Sequence, residues 1–484
     1  MRDYSRELND LSCRIWDYAE LKFDEARSAE AIASFLESEG FLVTRGIAGM
    51  ETAFSASWGE GDPVIGFLGE YDALSGLSQE ADVAEPKPRT GTGNGHGCGH
   101  NLLGSASAGA ALLLRDYLKE SGKPGTVVFF GCPGEEGGSG KTYMAREGIF
   151  DQLSTALTWH PGGGNAVLTG SFMANCQVCY RFRGTSSHAA SAPHLGRSAL
   201  DAVELMDVGV NYLREHMEPT DRIHYAILDT GGTSPNVVQN HAEVLYLIRS
   251  TDSEKVRTLY ERVNKVARGA AMMTETEVEI LFDKAASSTL SNSVLEDLLF
   301  QCMKKIPLPE YTEEELSFAK AVKDTCRDID PSGDISISFL PNREKKHYAR
   351  LYREKLMADF IVEHPHLDVY VAGSSDVGDV SFVVPTAQFS AATVTPGTPA
   401  HSWQMTAQGK SGPALKGMMY AAKVLAEAGK QLVDDPSVLK RAREEFLEET
   451  GGRKYVCPIP AHIRPHRNIR ELETGPLAFP KRVQ

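Results

Sequence analysis

Between residues 28 and 39 the apolar side chains Ile32, Phe35 and Leu36 fall on one helical face, and Gly40 follows as the C-terminal glycine of an amphipathic surface helix. Short β-rich runs then recur in front of glycine-rich or polar segments, at 63–68, 126–131 and 155–159. They alternate with helical stretches such as 102–119, the pattern of an α/β sheet carrying helices on its faces. Inside that helix the small residues Gly104, Ala106, Ala108, Gly109 and Ala110 predict close helix-to-sheet packing.

Around Phe172 the pattern changes. A near-alternating strand at 173–182 is followed by a helix at 198–215, strands at 225–230 and 243–249, a helix at 254–273 and a strand at 277–282. This β-α-β-β-α-β block is self-contained enough to be an inserted, ferredoxin-like α+β domain. The α/β pattern then resumes, and residues 370–394 with the helix 412–428 read as the other half of the first domain. The expected organisation is 1–170 for the first half of that domain, 171–286 for the insertion, and 287–484 for the second half. A tail of roughly 25 residues, rich in Pro, Arg and His, is expected to be extended and packed on the surface.

A length of 484 residues suits two domains, or three if one is small, and 42% apolar with 24% charged residues excludes global disorder. The net charge of −15 argues against nucleic acid and anionic membrane as partners, since both bind through clustered Lys and Arg. The N-terminal residues lack the apolar core of a signal peptide, and no run approaches the ~20 apolar residues of a membrane span, so a cytoplasmic location is expected. Eight cysteines without framework spacing read mostly as reduced thiols.

Ligands of open α/β sheets gather beyond the carboxyl ends of the strands. There the chain carries Gly69-Glu70-Tyr71-Asp72, Cys132-Pro133-Gly134-Glu135-Glu136-Gly137-Gly138, Trp159-His160-Pro161 and, much later, Thr398-Pro399-Ala400-His401-Ser402. A fifth segment, Gly95-His96-Gly97-Cys98-Gly99-His100-Asn101, precedes the small-residue helix. Residues two apart in an extended segment share a side, so Cys98 and His100 can converge on one metal ion, with Gly97 and Gly99 allowing close approach. Thiolate and imidazole suit a borderline ion such as zinc. Alone, the segment reads equally well as a glycine-rich turn with a buried thiol and a surface imidazole.

Glu135 and Glu136 are neighbours on a non-helical backbone, so their side chains diverge: one can ligate metal while the other faces an attacking water. A bound cation lowers the pKa of water from 15.7 towards ~7, and a carboxylate can carry the proton to the leaving nitrogen. A Glu pair in a polar loop is ordinarily solvated charge, but this one ends an apolar run and sits among glycines. Alone, neither His160 nor His401 would stand out. With Cys98, His100 and Glu136 they make five ligands, enough for two ions sharing a water.

Other motifs fail. Gly140-Lys141-Thr142 resembles the end of a phosphate-binding loop, but Glu135 stands where that loop requires its first glycine. The alternating glycines from Gly91 to Gly99 never meet the dinucleotide spacing. Cys176 and Cys179 face opposite sides of a strand and read as core thiols.

The loaded segments resemble the carboxypeptidase G and aminoacylase type of dinuclear metallopeptidase, in its amidohydrolase branch with a Cys-Gly-His motif. The likeness runs through residues 69–74, 94–101, 132–141, 193–202, 375–381 and Cys457-Pro458-Ile459-Pro460. It implies a mixed-sheet α/β catalytic domain with an inserted lid and dimerisation domain. It implies metal ligands at Cys98, His100, Glu136, His160 and His401, holding two divalent ions per subunit (Mn2+ or Zn2+), and a general base at Glu135. It also implies that His188, in Ser187-His188-Ala189-Ala190, reaches a partner's site to stabilise the oxyanion, and that Asn236 and Arg249 contact substrate, as in related desuccinylases.

Two positions depart from the wider pattern. Asn101 stands where many relatives carry Asp, and Glu70 stands where other branches carry a ligating His, so Glu70 is left unassigned. Asp72 is expected to orient a metal ligand or to cap a turn. The expected reaction is hydrolysis of N-acyl amino acids, p-aminobenzoyl-glutamate or a related folate fragment foremost, with dipeptides or auxin conjugates as the alternative substrates. The expected assembly is a homodimer, alone or with a homologous A subunit. A noncatalytic regulatory subunit or a nucleotide-binding protein are the readings from other classes.

Overall fold

Four neighbouring strands, Gly125–Cys132, Val64–Glu70, Thr155–Gly162 and Thr386–Ala392, run parallel at the centre of a seven-stranded sheet. Phe54–Glu60 on one side and Ala166–Val167 on the other pair antiparallel to them, and Leu42–Arg45 pairs antiparallel to Phe54–Glu60 in turn, so the sheet is mixed as expected. Parallel strands covered on both faces need continuous apolar runs. Val127, Val128, Phe129 and Phe130 supply one, with Phe67 and Leu68 beside it, all buried. The computed structural model describes residues 2–91, 93–367, 369–469 and 472.

The Ala26–Ser38 helix buries Ile32 and Leu36. At its end the Phe41 N–H donates to the Leu36 carbonyl at 3.1 Å and the Gly40 N–H to Glu37 at 3.0 Å, with Gly40 at φ +90°, a left-handed cap that glycine adopts without strain. The small-residue helix, His100–Ser121, packs as expected at Gly104, where a Cβ would lie 2.6 Å from the Glu70 carbonyl oxygen. Gly109 serves a different contact. Its Cβ would lie 2.7 Å from Leu8 Cδ1 and 3.3 Å from Ala422 Cβ, so this part of the helix meets the helices Ser5–Tyr18 and Gly412–Asp434 rather than the sheet.

The chain divides into two compact units. The first contains residues up to Ser171, Thr289–Val371 and Asp379–Tyr455, and holds the seven-stranded sheet. The second contains Phe172–Ser288, Ala372–Gly378 and the described residues from Val456 onward. Its antiparallel sheet has the order Arg222–Asp229, His241–Ser250, Ala174–Arg183, Glu277–Ala286, with helices Ala199–Leu213 and Ser253–Thr274 as the crossovers. The first strand in sequence lies between the third and the fourth, which is the ferredoxin-like arrangement. Ser198 and Asp252 cap the two helices by accepting from the Asp201 and Lys255 amides.

One expectation needs correction. Residues 370–394 do not form one block of the first unit, because Ala372–Gly378 belongs to the second. The described part of the C-terminal segment is packed against the second unit's sheet. His466 Nε2 lies 2.6 Å from Asp283 Oδ1, and Leu472 packs with Cys179 and Leu281. The rest of the expected tail, 470–471 and 473–484, lies outside the described residues. Cys176 and Cys179 are buried in the second unit, as expected of core thiols. Among the described residues no helix is long and apolar enough to cross a membrane.

Candidate active site

The carboxyl ends of the parallel strands and the loops beyond them bring five distant residues of the first unit together. Ligand atoms of Cys98, His100 and His160 lie within 4.8 Å of one another, and so do those of Cys98, Glu136 and His401. Cys98 belongs to both groups. Its Sγ is 3.4 Å from His160 Nε2, and Glu136 Oε1 is 3.3 Å from His401 Nε2.

Cys98 and His100 converge by a route other than strand alternation. Cys98 sits in a bend, Gly99 takes φ +77° as the N-terminal cap residue, and His100 is the first residue of the helix. Gly97 admits the incoming loop: its carbonyl accepts the His401 N–H at 2.9 Å, and a Cβ there would lie 2.3 Å from Leu77 Cδ1. His401 itself has φ +53°, a conformation that costs a non-glycine residue energy and persists only where the surroundings enforce it. His160 lies near the end of its strand, with Nδ1 at 2.7 Å from the Pro161 carbonyl, which leaves Nε2 for the cluster.

The cluster is electrostatically matched. Burial and Glu136 push the Cys98 thiol up, but His160 and His100 bring it down to about 6. Burial likewise opposes ionisation of Glu136, and His401 with His100 overcomes it, holding the carboxyl at about 2. Hydrogen bonding to Cys98 and Glu136 raises His401 to about 10. Anionic donors thus face imidazoles whose protons occupy the place of positive charge. A donor set of one thiolate, three imidazoles and a carboxylate fits divalent cations.

The two adjacent glutamates diverge. Glu136 joins Cys98 and His401, whereas Glu135 lies in a third group with Glu70 and His100, again within 4.8 Å. Asp72 links two members of the cluster: its Oδ1 is 2.8 Å from His100 Nδ1, and its Oδ2 accepts the Glu136 N–H at 2.9 Å. Asn101 turns away, donating to Ser12 Oγ at 3.0 Å and to the Gly409 carbonyl at 2.9 Å.

Sequence reasoning missed three supporting residues. Glu70 is fully buried, 2.6 Å from Lys141 Nζ and 3.2 Å from His100 Nε2. Burial opposes its charge, but Lys141 and His100 hold its pKa below the usual carboxylate value. Lys141 is the lysine of the failed phosphate-loop motif, and its charge is spent on Glu70. The third is Glu25, also buried, whose Oε1 accepts the Gly134 N–H at 2.8 Å and anchors the glutamate turn. Only the strand-end position of Glu70 was visible in advance.

The remaining expected residues lie in the second unit. His188 is exposed, and its Nδ1 accepts the Ala190 and Ser191 amides at 3.2 Å, which leaves Nε2 as the protonated, outward nitrogen when the ring is neutral. The Asn236 carbonyl accepts the Ala189 N–H at 3.0 Å, so these two loops are paired. Arg249 is elsewhere, donating from Nη1 to the Ala372 carbonyl at 3.2 Å and to Ser374 Oγ at 3.0 Å. In the strand register Arg249 faces Asn175 and His241 faces Arg183, eight residues away. Arg249 therefore sits at the opposite end of this sheet from the His188 and Asn236 loops, about 26 Å along the strand at ~3.3 Å per residue.

The chain belongs to peptidase family M20/M25/M40, whose family model matches residues 66–461. It is a hydrolase of amide bonds, from a family whose enzymes depend on paired metal ions. It is 48% identical to the B subunit of the p-aminobenzoyl-glutamate hydrolase of Escherichia coli (strain K12), over 94% of this chain and 95% of that one. It is 29% identical to the Xaa-Arg dipeptidase of Mus musculus, over 91% and 89% of the two chains. An aminobenzoyl-glutamate utilization protein from Klebsiella pneumoniae shares the fold, with a TM-score of 0.59, 17% identity, and 90% and 96% coverage.

Proposed function

We propose that this chain hydrolyses the amide bond of p-aminobenzoyl-glutamate, or of a closely similar N-acyl amino acid, to p-aminobenzoate and glutamate. The observation that carries the reading is the pair of three-donor groups sharing Cys98, with Glu135 beside His100 in a third group that does not include Glu136. Cys98, His100, Glu136, His160 and His401 would hold two divalent ions, manganese or zinc. When bound, such ions acidify water and polarise the substrate carbonyl. The 48% identical relative supports the substrate, because its length matches this chain almost throughout.

The residues of the chain divide the remaining work. Glu135 takes a proton from the attacking water and returns it to the leaving nitrogen. Asp72 fixes the His100 ring and the Glu136 backbone together. His188 donates through Nε2 to the developing oxyanion, and Arg249 grips the free carboxylate of the amino acid through parallel hydrogen bonds. Asn236 and Arg249 of one chain are too far apart to meet on one substrate. In this reading Arg249 and the His188–Asn236 pair therefore come from different chains, which makes the working unit a dimer.

The dipeptidase relative favours a second reading, in which the same site cleaves a dipeptide. A substrate panel decides between them. The proposal expects p-aminobenzoyl-glutamate to give the highest kcat/KM among it, Xaa-Arg dipeptides and indole-acetyl amino acids. Turnover of dipeptides with p-aminobenzoyl-glutamate inert would overturn it. Adding a homologous A subunit to the purified chain tests whether such a partner is needed.

A further inference from the structure

A second cluster of metal-type donors lies in the first unit, on elements that the active site does not use. Glu296 and Asp297 stand on the Ser293–Lys305 helix, and His364 and His366 on the irregular segment 361–367. His364 has a side chain only 1% exposed, yet among the described residues neither ring nitrogen has a hydrogen-bond partner. A buried imidazole with two orphaned nitrogens is a costly arrangement unless something else occupies the lone pair.

The spacing says what fits. His364 Nε2 is 3.6 Å from Glu296 Oε2 and 3.9 Å from Asp297 Oδ1, and His366 Nε2 is 3.2 Å from that same Asp297 oxygen. The two His364 separations are too long for hydrogen bonds, which span about 2.7–3.2 Å. They are close to the separation of about 3.3–3.4 Å between ligands held 2.0–2.1 Å from a tetrahedral ion. Ligand atoms of Glu296, His364 and His366 also all lie within 4.8 Å of one another. Phe300, one turn along the helix, packs on the His364 ring at 5.7 Å and fixes its orientation.

We propose that His364, His366, Glu296 and Asp297 bind a further divalent ion, zinc or a similar borderline transition cation, separate from the catalytic pair. Imidazole nitrogens and carboxylate oxygens are both zinc ligands, and two of each make up the four that a tetrahedral ion takes. The ion ties the 361–367 segment to the Ser293–Lys305 helix. His366 and Asp297 have side chains 51% and 61% exposed, which gives the ion a path in from solvent.

The test counts zinc. The full chain is stripped with a chelator and titrated with zinc against a chromophoric chelator, beside His366→Ala, Asp297→Asn and His364→Ala. The parent is expected to hold one more tight zinc equivalent than each variant, with hydrolytic turnover unchanged. An equal count in the parent and the variants overturns the proposal. So does a lost equivalent accompanied by lost turnover, since the missing ion then belonged to the catalytic pair. His366 and Asp297 are exposed enough for their variants to fold, so they decide the matter even if His364→Ala does not.

Discussion

The carboxylate of Asp72 lies 2.8 Å from His100 Nδ1 and through its other oxygen accepts the Glu136 backbone N–H at 2.9 Å, so one side chain aligns two residues of the candidate metal centre. Asparagine can accept only one of these two hydrogen bonds, because its amide nitrogen is a donor. Asp72→Asn is expected to weaken metal binding about 10–100-fold, the usual effect of losing a residue that orients a ligand. Competition with a chelator measures it, and unchanged affinity would show that Asp72 only caps the turn.

Lys141 and Glu70 form a fully buried ion pair at 2.6 Å. Removing one partner strands the other charge, so Lys141→Met should cost about 3–5 kcal/mol of unfolding free energy. The double variant Lys141→Met, Glu70→Gln should recover more than half of that loss. Denaturant titration gives both values, and a single-variant loss near zero would mean that the pair adds nothing to the fold.

The opposed positions of Arg249 and the His188 loop make a mixed dimer informative. Neither Glu135→Ala nor His188→Ala should hydrolyse substrate alone. Mixed and allowed to exchange, they should recover roughly a quarter of the parent activity, since half of the dimers are mixed and each has one intact site of two. No recovery despite proven mixed dimers would refute the crossing histidine.

Asp207 in the second unit accepts a hydrogen bond from the Tyr246 hydroxyl. Burial, only partly offset by that bond, raises its carboxyl from 3.8 to about 6. The folded chain therefore keeps a proton that the unfolded chain has released, and stability from this group falls as pH rises through about 4 to 6. Asp207→Asn should flatten the decline between pH 4 and 7 by about 1–2 kcal/mol. Parallel stability curves for parent and variant would contradict this.

Much of the fold was legible because hydrophobic period and strand-end chemistry are local signals. The inserted block showed itself through its order of elements, and the convergent cluster through chemically loaded residues beside strand ends. What stayed hidden was relational. Nothing local announces that Lys141 turns inward to Glu70, that Glu25 holds Gly134, or that His364 loses both hydrogen-bond partners against a helix some sixty residues earlier. The Cys98 and His100 pair was anticipated for the wrong geometric reason, since a left-handed Gly99 and a helix start do what strand alternation was expected to do. The polar helices Glu313–Asp324 and Asn342–Glu354 also escaped notice, because few of their residues are buried and the apolar stripe is thin.

The central claim is that the Cys98-centred cluster hydrolyses an amide with bound metal and Glu135 as the base. The most direct measurement is p-aminobenzoyl-glutamate turnover by the chain stripped of metal, after manganese or zinc is returned, and by a metal-loaded Glu135→Gln variant. The account predicts that stripping abolishes turnover, that the returned metal restores it, and that the variant keeps its metal while running about 10²–10⁴-fold slower. Full turnover by the metal-free chain, or by Glu135→Gln, would contradict it.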